Sequence, residues 1–396
     1  MSHRVVTDLR VAGRVVFCRV DFNVPLEGTT ITDDRRVRAS LPTVRWLAEK
    51  GAKVVCASHF ARPKGKRVPE MSLAPVAKRL SELLGAPVAF AEDCVGEPAR
   101  AVVSALKDGE VALLENLRFH PGEEKGDEEF ARELAAGIDF YVNDAFGAAH
   151  RAHASIVGLP KILGGGATGF LMDKEIGALG RLLERPERPY VAILGGAKVS
   201  DKILLIERLL ERVDRILVGG AMAYTFLAAR GVDVGASLVE ADKLDLAREL
   251  EAKAAAAGAS IVLPMDHVVA AGVDKHVVTG IVPCDRPSIP AGLKGVDIGP
   301  RTLDAWKGLL DGSVRTVLWN GPVGLFEAEG CDAGTKGLAA HIARMGAFRV
   351  LGGGDTAAAA QKFGLDESYD HVSTGGGAAL EFLSGVKLPG VAALEF

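Results

Sequence analysis

YVAILGGAKVSDKI, residues 190–203, is the segment on which the reading of the fold turns. Five largely apolar residues with no alternating polar face describe a strand buried on both sides, as in a parallel sheet. Gly195 and Gly196 stop it, and a helical pattern begins directly afterwards. Strand, glycine bend and helix together are the opening of a βαβ unit. On a continuous helix Lys198 and Lys202, four positions apart, would be neighbours on one face, where like charges repel. An anion seated between them would remove the repulsion. A solvated surface pair is the plain alternative.

The same unit recurs outward in both directions. Short β-rich runs fall at 15–24, 53–59, 110–119, 140–145, 190–194, 215–218, 260–265, 316–319, 348–351 and 371–373. Helical patterns such as 73–84 and 242–257 separate them, which points to parallel α/β sheets. At 396 residues the chain exceeds the size at which one hydrophobic core keeps growing, so two domains are expected. The best break lies at 164–189, where GGGATG is followed by the charged helical segment MDKEIGALGRLLE and then RPERP.

With 48% hydrophobic and 25% charged residues the composition is that of an ordinary globular protein, and a net charge of −4 suggests neither nucleic acid nor an acidic membrane as partner. Locally, residues 35–67 carry ten Lys or Arg against the single carboxylate Glu49, a possible anion-attracting patch. The five cysteines are odd in number, widely spaced and contain no C-x-x-C, so neither a disulfide framework nor a zinc site is expected. The start, MSHRVVTDLRVAGR, has no apolar signal core, and no run is long enough to span a bilayer. A cytoplasmic location is the simplest expectation.

Polar, glycine-rich blocks recur after the strand-like runs, where open parallel sheets bind their ligands. The first half supplies Arg36, His59, Arg62, Arg118 and Arg151, a set suited to a small anionic substrate. The second supplies Gly352-Gly-Gly-Asp-Thr356 and Ser373-Thr-Gly-Gly-Gly377, each before a helix, a pattern suited to phosphate. Asp355 suits a hard cation such as Mg²⁺, and Thr356 suits a phosphate contact or a helix cap. Gly164-x-Gly166-x-x-Gly169 matches the dinucleotide fingerprint, but a proline-bearing run precedes it, so it reads as linker. His150-x-x-His153 lacks a third metal ligand of recognisable spacing. A nicotinamide-dependent dehydrogenase using GGGATG, and a non-catalytic polyanion binder using residues 35–67, stay open on the residues alone.

Eight ordered blocks resemble the phosphoglycerate kinase family over essentially the whole chain: RVDFNVP (19–25), SHFARP (58–63), ENLRF (115–119), NDAFGAAHRAHAS (143–155), GGAKVSDKI (195–203), WNGPVGLFE (319–327), GGGDTA (352–357) and STGGGAALEFL (373–383). The resemblance implies an α/β fold of two doubly wound, Rossmann-like parallel-sheet domains, joined by an interdomain helix, with a cleft between them. Residues 1–170 would bind phosphoglycerate, 171–188 would form the helix and linker, and 189–385 would bind nucleotide. The tail, 386–396, would pack back on the first domain. The implied reaction is Mg²⁺-dependent transfer of the acyl phosphate of 1,3-bisphosphoglycerate to ADP, giving 3-phosphoglycerate and ATP, by domain closure and in-line displacement in a monomer.

Carried over by motif, Asp21, Phe22, Asn23, Arg36, His59, Phe60, Ala61, Arg62, Arg118 and Arg151 would hold the phosphoglycerate. Lys202, Gly219, Gly220, Gly295, Asn320, Glu327, Gly353, Gly354, Asp355 and Thr356 would hold the nucleotide, with Asp355 on the metal. Arg36, Lys198, Lys202 and Gly376 would serve the transfer itself. One position departs from the family: Ala61 stands where glycine is usual, which matters if its φ is positive.

Overall fold

The computed structural model describes residues 3–274 and 277–395. The chain divides into two compact units, one running through Gly177 and taking in the chain from Lys387 onward, the other Ala178–Val386.

In the first unit a six-stranded parallel sheet runs in the order Val88–Ala91, Val111–Leu114, Lys53–Ala57, Val15–Arg19, Phe140–Asn143, Ala167–Thr168. The central strands are buried almost throughout, as the unbroken apolar runs require. On one face they pack with Val37, Leu41, Val44 and Leu47 of helix Arg35–Glu49 and with Val76 and Leu80 of helix Ala74–Leu84. These spacings of three and four place one stripe of each helix on the sheet. The strands are shorter than the β-rich runs at their C-terminal ends, because the last residues of each run leave the ladder as polar loops. Within 164–169, Ala167–Thr168 forms the edge strand of this sheet rather than linker: it pairs beside Val142 and Asn143, and Thr168 N–H donates to Arg4 O at 2.9 Å.

Asp144 follows the Phe140–Asn143 strand, and its Oδ1 accepts the N–H groups of Leu171 and Met172 at the start of helix Phe170–Glu184. Burial pushes this carboxyl up to about 7 against the opposing hydrogen bonds. The boundary between the units falls inside that helix, at Gly177/Ala178. The chain end also belongs to the first unit: in helix Pro389–Ala392 the Gly390 N–H donates to Ala149 O at 2.8 Å.

The second unit's sheet runs Ser260–Val262, Arg215–Val218, Tyr190–Leu194, Thr316–Asn320, Phe348–Gly352, His371–Val372. Numbered within the sheet this is 3-2-1-4-5-6, the doubly wound order in which ligands bind where the strand order reverses. Here the reversal lies between Tyr190–Leu194 and Thr316–Asn320, whose registers pair Leu194 with Asn320. The sequence reading did not foresee an antiparallel sheet of Val282–Cys284, His267–Ala270 and Lys294–Ile298, or the hairpin pair Gly272–Asp274 and Val277–Thr279. Among the described residues no helix is long and apolar enough to cross a membrane.

Candidate active site

In the first unit the chain leaving Val15–Arg19 is tied down by short polar residues. Ser58 Oγ accepts the Phe22 N–H at 2.8 Å and donates to His59 O, while Asn23 Oδ1 accepts the Ala61 N–H at 2.9 Å. Asn116 uses its whole amide: Oδ1 accepts from Phe60 N and Arg118 N, and Nδ2 donates to Phe60 O and Met71 O. The SHFARP and ENLRF segments are thus laced together by one buried side chain. Phe22 and Phe60 point into the core, so their side chains support the loop.

His59 is buried, and its ring faces cations. Burial first, then the charges of Arg19, Arg118, Arg151 and Arg36, hold its pKa well below the ordinary histidine value, so the ring is neutral at physiological pH. Arg19 Nη2 lies 3.2 Å from His59 Nδ1. A guanidinium can only donate, so Nδ1 accepts and the proton resides on Nε2. Arg19 is itself fully buried, with Nε donating to Ser155 Oγ at 2.9 Å, and Ser155 Oγ donating to buried Glu123 at 2.6 Å.

Arg36, on the first turn of its helix, donates from Nη1 to both carboxylate oxygens of Asp21, each at 3.0 Å. Buried Arg118 donates to Ala61 O at 2.7 Å and pairs with Glu124 at 3.2 Å. Arg151 is half-buried beside His150, and Arg62 is exposed. The structure therefore gathers Arg36, Arg118 and Arg151, with Arg19 in addition, around His59. The sequence reading missed Arg19, although it opens the RVDFNVP block and is a charged residue inside an apolar strand.

Ala61 does sit at positive φ, +51°. A side chain there costs roughly 1–2 kcal/mol relative to glycine, while glycine loses about 0.4–1 kcal/mol more chain entropy on folding. Ala61→Gly is therefore expected to raise stability by about 0–1.5 kcal/mol with unchanged kcat, measured by urea unfolding and steady-state kinetics. A loss above about 1 kcal/mol would show that the methyl packs productively.

In the second unit the opening segment lies at the strand-order reversal. Lys198 and Lys202 do not share a helix face: Lys198 is exposed in the loop, a 3₁₀ turn spans Ser200–Lys202, and the α-helix starts at Ile203. Glu240, from a distant loop, accepts the N–H groups of Val199 and Ser200 and the Ser200 hydroxyl, which fixes that turn.

Lys202 turns inward. Its Nζ donates to Asn320 O at 2.7 Å and to Asn320 Oδ1. Burial pulls its pKa down to about 8, against the opposing pull of Asp355 and Asp201. Gly321 must be glycine: its φ is +98°, and a Cβ would stand 2.3 Å from Gly195 O and 2.9 Å from Lys202 Nζ. Gly220 likewise has φ +64°, and a Cβ there would meet Gly196 N at 2.6 Å.

Gly353 (φ +89°) precedes helix Gly354–Lys362, and Asp355 is exposed on its first turn. Thr356 is buried; its hydroxyl accepts the Gly321 N–H at 2.7 Å and donates to Gly352 O at 2.8 Å, stapling two strand ends. Gly376, at φ +52°, precedes helix Gly377–Leu383.

A cavity of about 630 Å³ opens beside these groups, lined by Gly196, Gly220, Tyr224, Leu238, Gly295 and Glu327 among others. Gly295 lets the Tyr224 hydroxyl approach, since a Cβ would lie 2.0 Å from it. The apolar wall from Leu238, Val239, Val273 and Pro322–Leu325 was not read from sequence. Its only signal was the odd glycine spacing of WNGPVGLFE. Of the residues expected here, Gly219 joins the set through its N–H, which donates to Leu194 O at 2.8 Å.

Two doubly wound units, one bearing a cationic cluster and the other a lysine at its strand-order reversal beside a glycine-lined cavity, define the class of an α/β phosphotransferase. The sequence pattern of the phosphoglycerate kinase family matches residues 6–386. A phosphoglycerate kinase of Anaeromyxobacter dehalogenans (strain 2CP-C) is 54% identical over 398 residues, covering 100% of both chains. The solved phosphoglycerate kinase of Coxiella burnetii superposes with a TM-score of 0.91 at 39% identity, covering 99% of each chain. That of Pyrococcus horikoshii OT3 gives 0.85 at 38% identity, covering 99% of this chain and 98% of its own. The chain belongs to the phosphoglycerate kinase family.

Proposed function

We propose that the chain transfers the acyl phosphate of 1,3-bisphosphoglycerate reversibly to ADP, giving 3-phosphoglycerate and ATP, in glycolysis and gluconeogenesis. The observation that carries the reading is Lys202: a desolvated ammonium anchored on Asn320, with the Asp355 carboxylate acting on it, at the reversal of a 3-2-1-4-5-6 sheet. Such a group is a point charge for a phosphoryl oxygen.

The first unit would hold phosphoglycerate through His59 Nε2–H, Arg62, Arg118, Arg151 and the Asp21–Asn23 segment. The backbone around Phe22, Phe60 and Ala61 would shape that pocket. Nucleotide would lie in the 630 Å³ cavity, with Gly219, Gly220 and Gly295 against the base and ribose and Glu327 at the rim. Gly353, Gly354 and Thr356 would bring backbone to the phosphates. Asp355 fits Mg²⁺, since one exposed carboxylate plus phosphate oxygens is a usual ligand set for that ion. When bound, the ion would neutralise phosphate charge. Arg36, Lys198, Lys202 and the Gly376 backbone would face the group in transfer.

The acceptor is already an anion, so no general base is needed; charge cancellation and in-line placement suffice. The reading requires the two sets of groups to meet on the ligands by domain closure, which would also keep water from the acyl phosphate. It further places the enzyme in the cytoplasm as a monomer. A coupled assay with 3-phosphoglycerate, ATP and Mg²⁺ tests the activity. Absence of ADP-linked turnover would overturn it.

A further inference from the structure

We propose that Asp93, Cys94 and His120 form a binding site for a zinc-class divalent ion. One ligand atom from each lies within 4.8 Å of the other two. Asp93 and Cys94 occupy the bend between strand Val88–Ala91 and helix Gly96–Ala105, and His120 follows the turn Leu117–Phe119. The site is therefore built at the carboxyl ends of two adjacent strands, from segments about 26 positions apart in the chain.

The elements are held before any ion arrives. Asp93 Oδ1 lies 2.6 Å from His120 Nε2 and accepts the Cys94 N–H at 2.7 Å. The imidazole stacks on Phe130 with ring centres 5.2 Å apart and planes 23° apart, which fixes its orientation. Cys94 lies at the buried end, while the side chains of Asp93 and His120 are 33% and 30% exposed, so solvent can supply a fourth ligand from outside.

The donor set selects the ion. One thiolate, one imidazole and one carboxylate in a small space suit four-coordinate Zn²⁺ or its spectroscopic substitute Co²⁺, with water completing the shell. Mg²⁺ and Ca²⁺ prefer oxygen throughout and gain little from a sulfur ligand. Burial, with the charges of Asp93 and Glu123, raises the Cys94 thiol pKa, so in the metal-free protein it stays protonated and unreactive. Binding releases the thiol proton to solvent, and ligation through Nε2 requires any proton there to move to Nδ1 or leave.

The site has a mechanical consequence. It would clamp the 92–95 bend to the turn that carries Arg118, the residue holding Ala61 O in the substrate loop. Occupancy would therefore stiffen one wall of the first-unit site.

The test is titration of the full chain, free of nucleotide, with Co²⁺. The expected result is one ion per chain, tetrahedral visible bands, and a thiolate-to-cobalt band in the near ultraviolet, all displaced by Zn²⁺. Cys94→Ala should abolish the thiolate band although Cys18, Cys56, Cys284 and Cys331 remain. The half-exposed His120→Gln, which leaves the core intact, should weaken binding about tenfold or more and remove the rise in Tm that Zn²⁺ gives the parent protein. Co²⁺ binding without a thiolate band, no binding at all, or a Zn²⁺-induced Tm shift unchanged in His120→Gln would overturn the proposal.

Discussion

Arg36→Ala is expected to lower kcat by about two to three orders of magnitude while changing KM for 3-phosphoglycerate by only a few-fold. During transfer, charge spreads over the equatorial oxygens of the moving phosphoryl group. An arginine aimed at those oxygens acts mainly in the transition state, where its fork meets the developing geometry. Arg36 is prepared for this. Its Nη1 is held by both oxygens of Asp21, and 42% of its side chain is exposed, leaving the rest of the fork available. The pair is open on the arginine side only, so its loss should cost about 1–3 kcal/mol, and the variant should still fold. Removing the guanidinium also leaves the Asp21 carboxylate, only 12% exposed, without its partner beside an incoming anion, which accounts for the few-fold rise expected in KM. Steady-state kinetics with a urea-unfolding control decides the matter. An unchanged kcat with only a raised KM would make Arg36 a ground-state binder.

How much of this was legible in the sequence follows from where the information resides. Strands 190–194 and 215–218 emerge with the bounds expected, because each carries a continuous apolar run that a glycine stops. Val88–Ala91 was passed over since it is a half-exposed edge strand of only four residues, wedged between Pro87 and Glu92. The antiparallel strands around His267–Ala270 escaped for the same reason: most are three or four residues long and mix polar with apolar positions. The candidate site blocks stand out because loops at strand ends are where arginine, lysine and glycine are otherwise hard to explain.

Their supports were not visible. Asn116, Ser58, Thr43 and Glu240 satisfy backbone groups that only the folded chain buries together, as when the Thr43 hydroxyl takes the Phe170 N–H at 2.9 Å from 127 positions away. The two lysines show the same limit. Their spacing suggested one helical face, but a bend at Gly196 (φ +116°) and a carboxylate 40 positions away send Lys198 outward and Lys202 inward. The repulsion inferred from spacing is thus relieved by geometry before any phosphate arrives.

Lys202→Met tests the inward lysine, with ADP affinity expected to fall about 10- to 100-fold while the fold persists. The methionine keeps the apolar stem and deletes the charge, so the loss reports electrostatics rather than packing. Two stability terms oppose each other. Holding an ammonium at a pKa of about 8, down from 10.5, costs the folded protein about 3 kcal/mol at neutral pH, a cost the variant escapes. Against this, Asn320 O and Oδ1 lose their donor, at about 1–3 kcal/mol. The net change should be small.

The pH dependence separates the terms. The folded pKa lies below the unfolded one, so between about pH 8 and 10.5 the unfolded chain holds more protons and parent stability rises with pH relative to Lys202→Met. Ligand binding follows the opposite sense. A phosphate beside Nζ favours the charged form, so above pH 8 nucleotide binding must take up a proton, and affinity should fall by up to about tenfold per pH unit. Urea unfolding of both proteins across about pH 8 to 10.5 reads the first effect, and calorimetry with ADP and Mg²⁺ at about pH 7 and pH 9 the second. In Lys202→Met the extra loss at high pH should vanish. Equal ADP affinity in the two proteins, with the same pH profile, would mean that no phosphate ever approaches Nζ, and the nucleotide would have to be placed elsewhere.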